Sequence, residues 1–128
     1  MVGIVLVSHS PRLAAGLAEL LAELGGGEVP VAVAAGTADG RLGTDPAAVT
    51  AAITAADQGD GVLLIPDLGS AVLSVRVALD DRADPVRALL IDAPFVEGAV
   101  AATVTASTGA DLEAVATAAQ EARTIPKL

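Results

Sequence analysis

The chain opens with MVGIVLVSHSPRLAAGL (residues 1–17), in which a continuous apolar run passes directly into a helical pattern. The run from Val2 to Val7 is typical of a strand that is buried on both faces of a sheet. Ser10 can cap the helix that follows, with Pro11 at its first position. His9, the only histidine of the chain, stands between the two. The stretch therefore predicts a strand-to-helix unit with an imidazole at the carboxyl end of its strand.

The same alternation of apolar runs and helical patterns continues along the chain. Further strands are predicted over Val29–Gly36, Gly61–Pro66 and Arg87–Ala93. Helices are predicted over Pro11–Leu24, over Pro46–Ala56, through Val72, Val75 and Leu79, and from Asp111 to Arg123. The segment Phe95–Ser107 is ambiguous, because its Val and Thr content favours a strand. We expect a helix there, since valine recurs at every fourth position (Val96, Val100 and Val104).

Strands that alternate with helices predict right-handed crossovers and a parallel sheet covered by helices on both faces. We expect one doubly wound α/β domain over residues 1–128, with four mainly parallel strands in the order 2-1-3-4. In this order the loops after strands one and three separate from each other, which opens a crevice at the carboxyl edge. His9 lies on the first of these loops, and Asp67, Gly69 and Ser70 lie on the second. The topology therefore predicts that His9 and Asp67 lie together.

The composition excludes several classes of function. Seven basic and sixteen acidic residues give a net charge of −9, which repels nucleic acids and anionic membranes. A single Phe, with no Trp or Tyr, provides no stacking platform for bases or a flavin. The absence of cysteine excludes disulfides and thiolate chemistry, and one histidine without well-spaced carboxylates predicts no metal site. With no recognisable signal peptide or membrane span, we expect a cytoplasmic protein.

The lone imidazole is a candidate nucleophile, because a neutral imidazole attacks phosphorus well once a partner fixes its tautomer. Asp67 can accept the proton of one ring nitrogen and leave the lone pair of the other facing solvent. The N–H groups of Gly69 and Ser70, at the start of the next helix, can then hold a phosphoryl group. The hydroxyls of Ser8 and Ser10 are close enough in sequence to donate further hydrogen bonds to it.

A purely structural interpretation of the same residues remains open, in which His9 ends a strand and Asp67 caps a helix. The glycine-rich loop over residues 36–45 can cover the crevice, although Gly-Thr-Asp-Pro is typical of a helix start. Arg12, in the first helical turn, can assist with a phosphate or simply be solvated. The chain contains neither a P-loop nor a G-x-G-x-x-G motif after the first strand, so no bound nucleotide is predicted.

Five motifs spread over nearly the whole chain match one family. They read VLVSHSPRL (residues 5–13), AAGT (34–37), GTDP (43–46), PDLGSAVLS (66–74) and APFVEGAVAATVTASTGAD (93–111). With these motifs the chain resembles the phosphocarrier subunits of phosphoenolpyruvate-dependent dihydroxyacetone kinases. More broadly, it is similar to the mannose-type IIA domains of the phosphotransferase system. Pro11 departs from this resemblance, since relatives often have Ser there, but Pro suits a helix start.

The resemblance implies a doubly wound homodimer in which His9 is transiently phosphorylated at Nε2, while Asp67 hydrogen-bonds the imidazole at Nδ1. It implies that the small carrier protein HPr donates the phosphoryl group. The acceptor is then ADP, held on a nucleotide-binding kinase subunit that phosphorylates dihydroxyacetone, so this chain itself needs no cofactor. Some relatives carry HPr-like domains after this one, and this chain stops at Leu128. We therefore expect either a separate HPr or the loss of a fused part.

Three other interpretations stay open. A sugar-transporting mannose-type IIA domain differs from the kinase subunit only in motif detail, and GTDP and APFVEG favour the kinase. A chelatase that inserts metal into tetrapyrroles shares a histidine after its first strand, but it needs further metal-binding side chains. A regulatory module, in which partners only read the surface, predicts that substitution of His9 leaves the biological output intact.

Overall fold

A parallel sheet of four strands in the order β2-β1-β3-β4 runs through the molecule, in a computed structural model that describes residues 1–128. Every neighbouring pair of strands is parallel. The strands are β1 (Gly3–Ser8), β2 (Val31–Ala35), β3 (Val62–Pro66) and β4 (Ala88–Leu90). This arrangement confirms the predicted strand order, and it places the end of β1 directly beside the end of β3.

Five helices cover the sheet: α1 (Pro11–Leu24), α2 (Pro46–Ala56), α3 (Ala71–Asp81), α4 (Phe95–Ala106) and α5 (Leu112–Glu121). A single 3₁₀ turn, Ala122–Thr124, follows α5. Side chains cap three helices: Ser10 accepts from Leu13 N–H, Asp45 from Ala47 N–H and Asp111 from Ala114 N–H. None of the helices has the length and apolar character that crossing a bilayer requires.

The ambiguous segment after β4 is a helix, as its four-residue spacing predicts. Small side chains line its buried face, namely Gly98, Ala99, Ala102, Thr103 and Ala106. Because these side chains are small, α4 can approach α5 and the sheet closely despite its content of β-branched residues.

Two separate apolar cores lie on the two faces of the sheet. Ile4 and Leu6 of β1 pack against α1, α4 and α5. Val5 and Val7 pack against α2 and α3 on the other face. Successive side chains of a strand point to opposite faces, so a strand between two cores must be apolar at every position. This explains the uninterrupted run at the start of the chain.

Three strands are shorter than the sequence predicts. β2 covers Val31–Ala35 rather than Val29–Gly36, β3 begins at Val62 rather than at Gly61, and β4 covers only Ala88–Leu90 rather than Arg87–Ala93. β4 has β3 as its only neighbour, and the next residue of β3 that should donate to the ladder is Pro66. Proline has no N–H, so the pairing stops there. The chain beyond Leu90 is then free to form one wall of the cleft at the carboxyl edge.

Candidate functional site

The candidate site lies at the carboxyl edge of the sheet, where the loops after β1 and β3 separate. His9 directly follows β1, Asp67 directly follows β3, and Ser70 immediately precedes α3. This is the topological switch point of the sheet, the place where doubly wound domains usually bind ligands. The structure therefore brings together the His9 and Asp67 side chains that the sequence places on these two loops.

Asp67 is held against His9 by both of its carboxylate oxygens. Oδ1 lies 2.9 Å from His9 Nδ1 and accepts from Leu68 N–H at 2.7 Å. Oδ2 accepts from the backbone N–H of His9 and from the Ser8 hydroxyl, each at 3.0 Å. The Asp67 side chain is only 7% exposed. Asp67 therefore does not cap a helix, because its oxygens are engaged by the loop that carries the imidazole.

The protonation state of Asp67 fixes the tautomer of His9. Burial raises the pKa of the Asp67 carboxyl, but hydrogen bonds from the His9 backbone, the His9 ring and the Ser8 hydroxyl outweigh burial. The pKa is held below its ordinary value. A carboxylate that is ionised at neutral pH only accepts hydrogen bonds, so Nδ1 carries the proton of the neutral imidazole. Nε2 then keeps its lone pair for a reaction.

Ser70 occupies the other side of the imidazole. Its Oγ lies 2.8 Å from His9 Nε2, and in the tautomer fixed by Asp67 this hydroxyl donates to the lone pair. The expectation that this lone pair faces solvent is therefore wrong. Ser70 precedes α3 in a helical conformation and its side chain makes no capping bond, so its hydroxyl is free to face the ring.

The backbone of His9 is held from two directions. Its N–H donates to Asp67, and its carbonyl accepts from Gly43 N–H at 2.9 Å. Gly43 belongs to the glycine-rich loop over residues 36–45, so this loop supports the histidine from behind. At Gly36 the backbone has φ +77°, and an added Cβ would lie 2.8 Å from Pro11 Cγ. Only glycine allows the loop to pack this closely on the start of α1.

The structure separates the four residues predicted to bind phosphate into two groups. The N–H groups of Gly69 and Ser70 donate to no atom of the chain, and the Ser10 hydroxyl, which accepts from Leu13 N–H, keeps its proton unused. Ser8 differs, because it is fully buried and its hydroxyl points to Asp67 Oδ2 and the Ser10 carbonyl. Its contacts fit a group that positions Asp67 and do not fit the predicted phosphate contact.

Sequence reasoning misses two features of this site: the contact of the Ser70 hydroxyl with Nε2 and the bond from Gly43 to the His9 carbonyl. The only sequence signal for either contact is that Ser70 and Gly43 belong to two of the motifs, PDLGSAVLS and GTDP. No group of three or more His, Asp or Glu side chains gathers in a way that could hold a metal ion.

Comparisons with known proteins agree on one family. A family model described as "PTS system fructose IIA component" matches residues 3–116. The phosphoryl donor subunit DhaM of the PEP-dependent dihydroxyacetone kinase 2 of Listeria innocua is 38% identical, over 90% of this chain and 94% of its own length. The corresponding DhaM subunit of Pantoea ananatis is 46% identical over 95% of this chain. This chain spans only 27% of that relative's length.

The fold is also found in a solved structure. A crystal structure of a protein of unknown function, EF1359, superposes with a TM-score of 0.81 and 37% sequence identity. The match covers 94% of this chain and 93% of that one. The predicted fold class, a doubly wound α/β domain, is thus confirmed by the strand order of this chain and by an independent relative.

Proposed function

The chain belongs to the family of PTS system fructose IIA components, and on that premise we propose that it carries a phosphoryl group on His9 for a dihydroxyacetone kinase. The observation that carries this proposal is the 2.9 Å contact between His9 Nδ1 and Asp67 Oδ1. It leaves Nε2 as the basic ring nitrogen at the open edge of the sheet. The names of the relatives favour the kinase system, since they are phosphoryl donor subunits of such kinases.

The proposed chemistry is an in-line displacement at phosphorus. The Nε2 lone pair of His9 attacks the phosphorus atom on the donor, a new N–P bond forms, and the bond from phosphorus to the donor breaks. The imidazole becomes positively charged, and Asp67 stabilises this charge through the hydrogen bond at Nδ1. Ser70 gives up its contact with Nε2 as the new bond forms. Its hydroxyl can then donate to a phosphoryl oxygen, together with the N–H groups of Gly69 and Ser70.

We propose HPr as the donor, and ADP held on a separate nucleotide-binding subunit as the acceptor. The resemblance in motifs supports both partners, and the relatives' designation as donor subunits supports the direction of transfer. We further propose that residues 1–128 act as a single carrier domain in a cytoplasmic homodimer. Since positioning and electrostatics suffice for this transfer, the proposed carrier needs no cofactor or metal of its own.

A sugar-transporting IIA domain is the second candidate, because the description of the matching family model refers to a fructose IIA component. The two candidates share His9 and Asp67 and differ in the acceptor. A kinase subunit passes the phosphoryl group to ADP, whereas a transport domain passes it to another protein of the transport system. The acceptor assay below therefore separates them.

The test is phosphorylation of the purified chain by phosphoenolpyruvate, enzyme I and HPr, followed by intact mass measurement. We expect one acid-labile phosphoryl group on the wild type and none on His9→Gln, which keeps the fold because His9 belongs to neither apolar core. Ser74→Ala serves as the control, because Ser74 contacts Thr44 and not His9. Circular dichroism of each variant monitors the fold.

Phosphorylation of folded His9→Gln to the wild-type level would remove His9 from the mechanism. If the wild type accepts no phosphoryl group from active HPr, the carrier proposal itself is wrong. Transfer from the phosphorylated wild type to the ADP-loaded kinase subunit, measured as ATP formed, then distinguishes the kinase role from the transport role.

A further inference from the structure

Arg12 is the basic residue nearest to His9 in sequence. Its side chain forms no ion pair and no hydrogen bond that would stabilise the fold. We infer that Arg12 binds the phosphates of the nucleoside diphosphate to which His9 passes its phosphoryl group. This inference rests on the proposed function, and it adds a catalytic residue specific to the second half of the reaction.

Most basic side chains of the chain form ion pairs with carboxylates, and Arg12 does not. Of the seven basic residues, five lie within ion-pair distance of a carboxylate: Arg41, Arg82, Arg87, Arg123 and Lys127. Arg12 and Arg76 form no ion pair, although acidic residues outnumber basic ones by more than two to one. In such an acidic chain, an arginine without a carboxylate partner has its charge available for an external anion.

The position of Arg12 in its helix is also unfavourable for stability. It is the second residue of α1, whose first turn contains no acidic residue. The positive end of the helix dipole lies at this terminus, so a cation here is repelled and an anion is attracted. An exposed arginine at this position therefore weakens the helix unless an anion binds beside it.

Arg12 lies in the first turn of α1, three residues after His9, so its charge is at the same edge of the sheet as the proposed phosphoryl site. Side chains on a helix lean towards its N-terminus, which for α1 is the carboxyl edge of the sheet where His9 lies. The N–H groups of Gly69 and Ser70 are suited to the phosphoryl group itself. A nucleoside diphosphate that approaches this group brings further anionic oxygens next to an ionised Asp67. A guanidinium group binds such oxygens in a bidentate manner.

The step that Arg12 assists is balanced without a proton or a redox partner. The bond between phosphorus and His9 Nε2 breaks, and its electron pair stays on Nε2. A terminal oxygen of the nucleoside diphosphate forms the new P–O bond, which yields the triphosphate. The transferred phosphoryl group and the phosphates of the acceptor are all anionic, so a cation placed between them lowers the barrier. Acceptance from HPr brings only the one phosphoryl group to the site, so the first half-reaction depends less on Arg12.

Arg76 is the other unpaired cation, and its surroundings differ. It lines a cleft of about 290 Å³ between the ends of β3 and β4, together with Asp67, Leu68, Gly69 and Asp92. His9 does not line this cleft. Arg76→Gln therefore removes the other unpaired charge from a cleft that shares Asp67 and Gly69 with the site, so it tests whether the effect is specific to Arg12.

The experiment measures both half-reactions for Arg12→Gln, Arg12→Lys, Arg76→Gln and Arg87→Gln. Arg87 precedes β4 at the amino edge of the sheet and pairs with Glu113, so its variant controls for net charge with the loss of one exposed ion pair. We expect Arg12→Gln to accept from HPr within about threefold of the wild type. Its transfer to ADP on the kinase subunit should be slower by about 10- to 100-fold, as the loss of a charged hydrogen bond implies. Arg12→Lys should keep part of the rate.

Three outcomes overturn the inference. Unchanged transfer from Arg12→Gln to ADP removes Arg12 from the reaction. An equal loss in Arg76→Gln or Arg87→Gln means that the effect is not specific to Arg12. An equal loss in both half-reactions of Arg12→Gln shows a disturbed site rather than a contact with the nucleotide. In each case the wild type still accepts from HPr, whereas failure of the wild type to do so overturns the proposed function as well.

Discussion

The carboxylate of Asp67 receives hydrogen bonds from the Ser8 hydroxyl, the His9 backbone and the His9 ring. On the far side of the imidazole, the Ser70 hydroxyl contacts His9 Nε2. The order of the strands predicts the pairing of His9 with Asp67, because the ends of β1 and β3 must be neighbours. The strand order does not predict the contacts of Ser8 and Ser70, because the direction of a hydroxyl depends on small details of the three-dimensional structure. Sequence alone therefore predicts the pair His9 and Asp67 but not the contact of Ser8 with Asp67.

Asp67→Asn tests whether the ionised carboxylate stabilises the fold as well as the tautomer. The pKa of Asp67 is lower in the folded chain than in the unfolded one. Its contribution to stability is therefore complete above the unfolded pKa of about 3.9 and is lost as the pH falls through the lower folded value. We expect Asp67→Asn to lower the free energy of unfolding by about 1–3 kcal/mol at pH 7. In urea unfolding, the difference from the wild type should shrink steadily below about pH 4.

Asp80→Asn is the control for that measurement, because Asp80 is exposed on α3 and accepts no hydrogen bond from another side chain. Its free energy of unfolding should stay within about 0.5 kcal/mol of the wild type at every pH. The asparagine at position 67 should also slow acceptance from HPr, since its amide can present an N–H group to Nδ1 and select the wrong tautomer. A difference between Asp67→Asn and wild type that does not change with pH would contradict the assigned ionisation.

At the scale of elements, the boundaries depend on what each segment packs against. α1 and α2 start and end where the sequence predicts, because a cap and a proline fix the first turn locally. β4 is shorter than predicted, because its end depends on Pro66 in another strand. Local signals therefore predict the helices well, while the ends of strands depend on a neighbour that is distant in sequence.

The contact of β1 with α2 gives a prediction at this scale. A Cβ on Gly3 would overlap the carbonyl group of Ala56 at the end of α2, and backbone atoms cannot move aside. We expect Gly3→Ala to destabilise the protein by about 3 kcal/mol. Gly16 lies inside α1, where an added Cβ meets nothing within 4 Å. The same substitution there should stabilise the protein by about 0.5–1 kcal/mol, since alanine favours a helix.

Thermal and urea unfolding of the two alanine variants provides the comparison, and the wild type is the common reference. Opposite signs for Gly3→Ala and Gly16→Ala are the expected result. If both variants were destabilised equally, the close approach of β1 and α2 would not be the cause of the first effect.

At the scale of the whole molecule, the sheet separates two apolar cores, and acidic residues outnumber basic ones on the chain. The central strands β1 and β3 contribute to both cores, whereas the edge strands β2 and β4 are partly exposed. The alternation of apolar runs with helical patterns predicts this architecture, and Val, Leu, Ile and Ala supply nearly all of the apolar content. The placement of the few basic side chains, including the two that lack ion pairs, becomes visible only in the structure.

The net charge of −9 predicts that salt stabilises the folded chain. Folding brings like charges closer together, and the distance over which they repel falls from about 30 Å at 0.01 M salt to about 8 Å at 0.15 M. The unfolding temperature should therefore rise when NaCl is increased over this range. The double variant Glu19→Gln/Glu23→Gln removes two exposed charges that face each other one turn apart on α1, so its unfolding temperature should rise less with salt. Screening also weakens attractive pairs such as Arg87–Glu113. A fall in the unfolding temperature with salt would mean that these pairs outweigh the repulsion, and the acidic surface would then not limit stability.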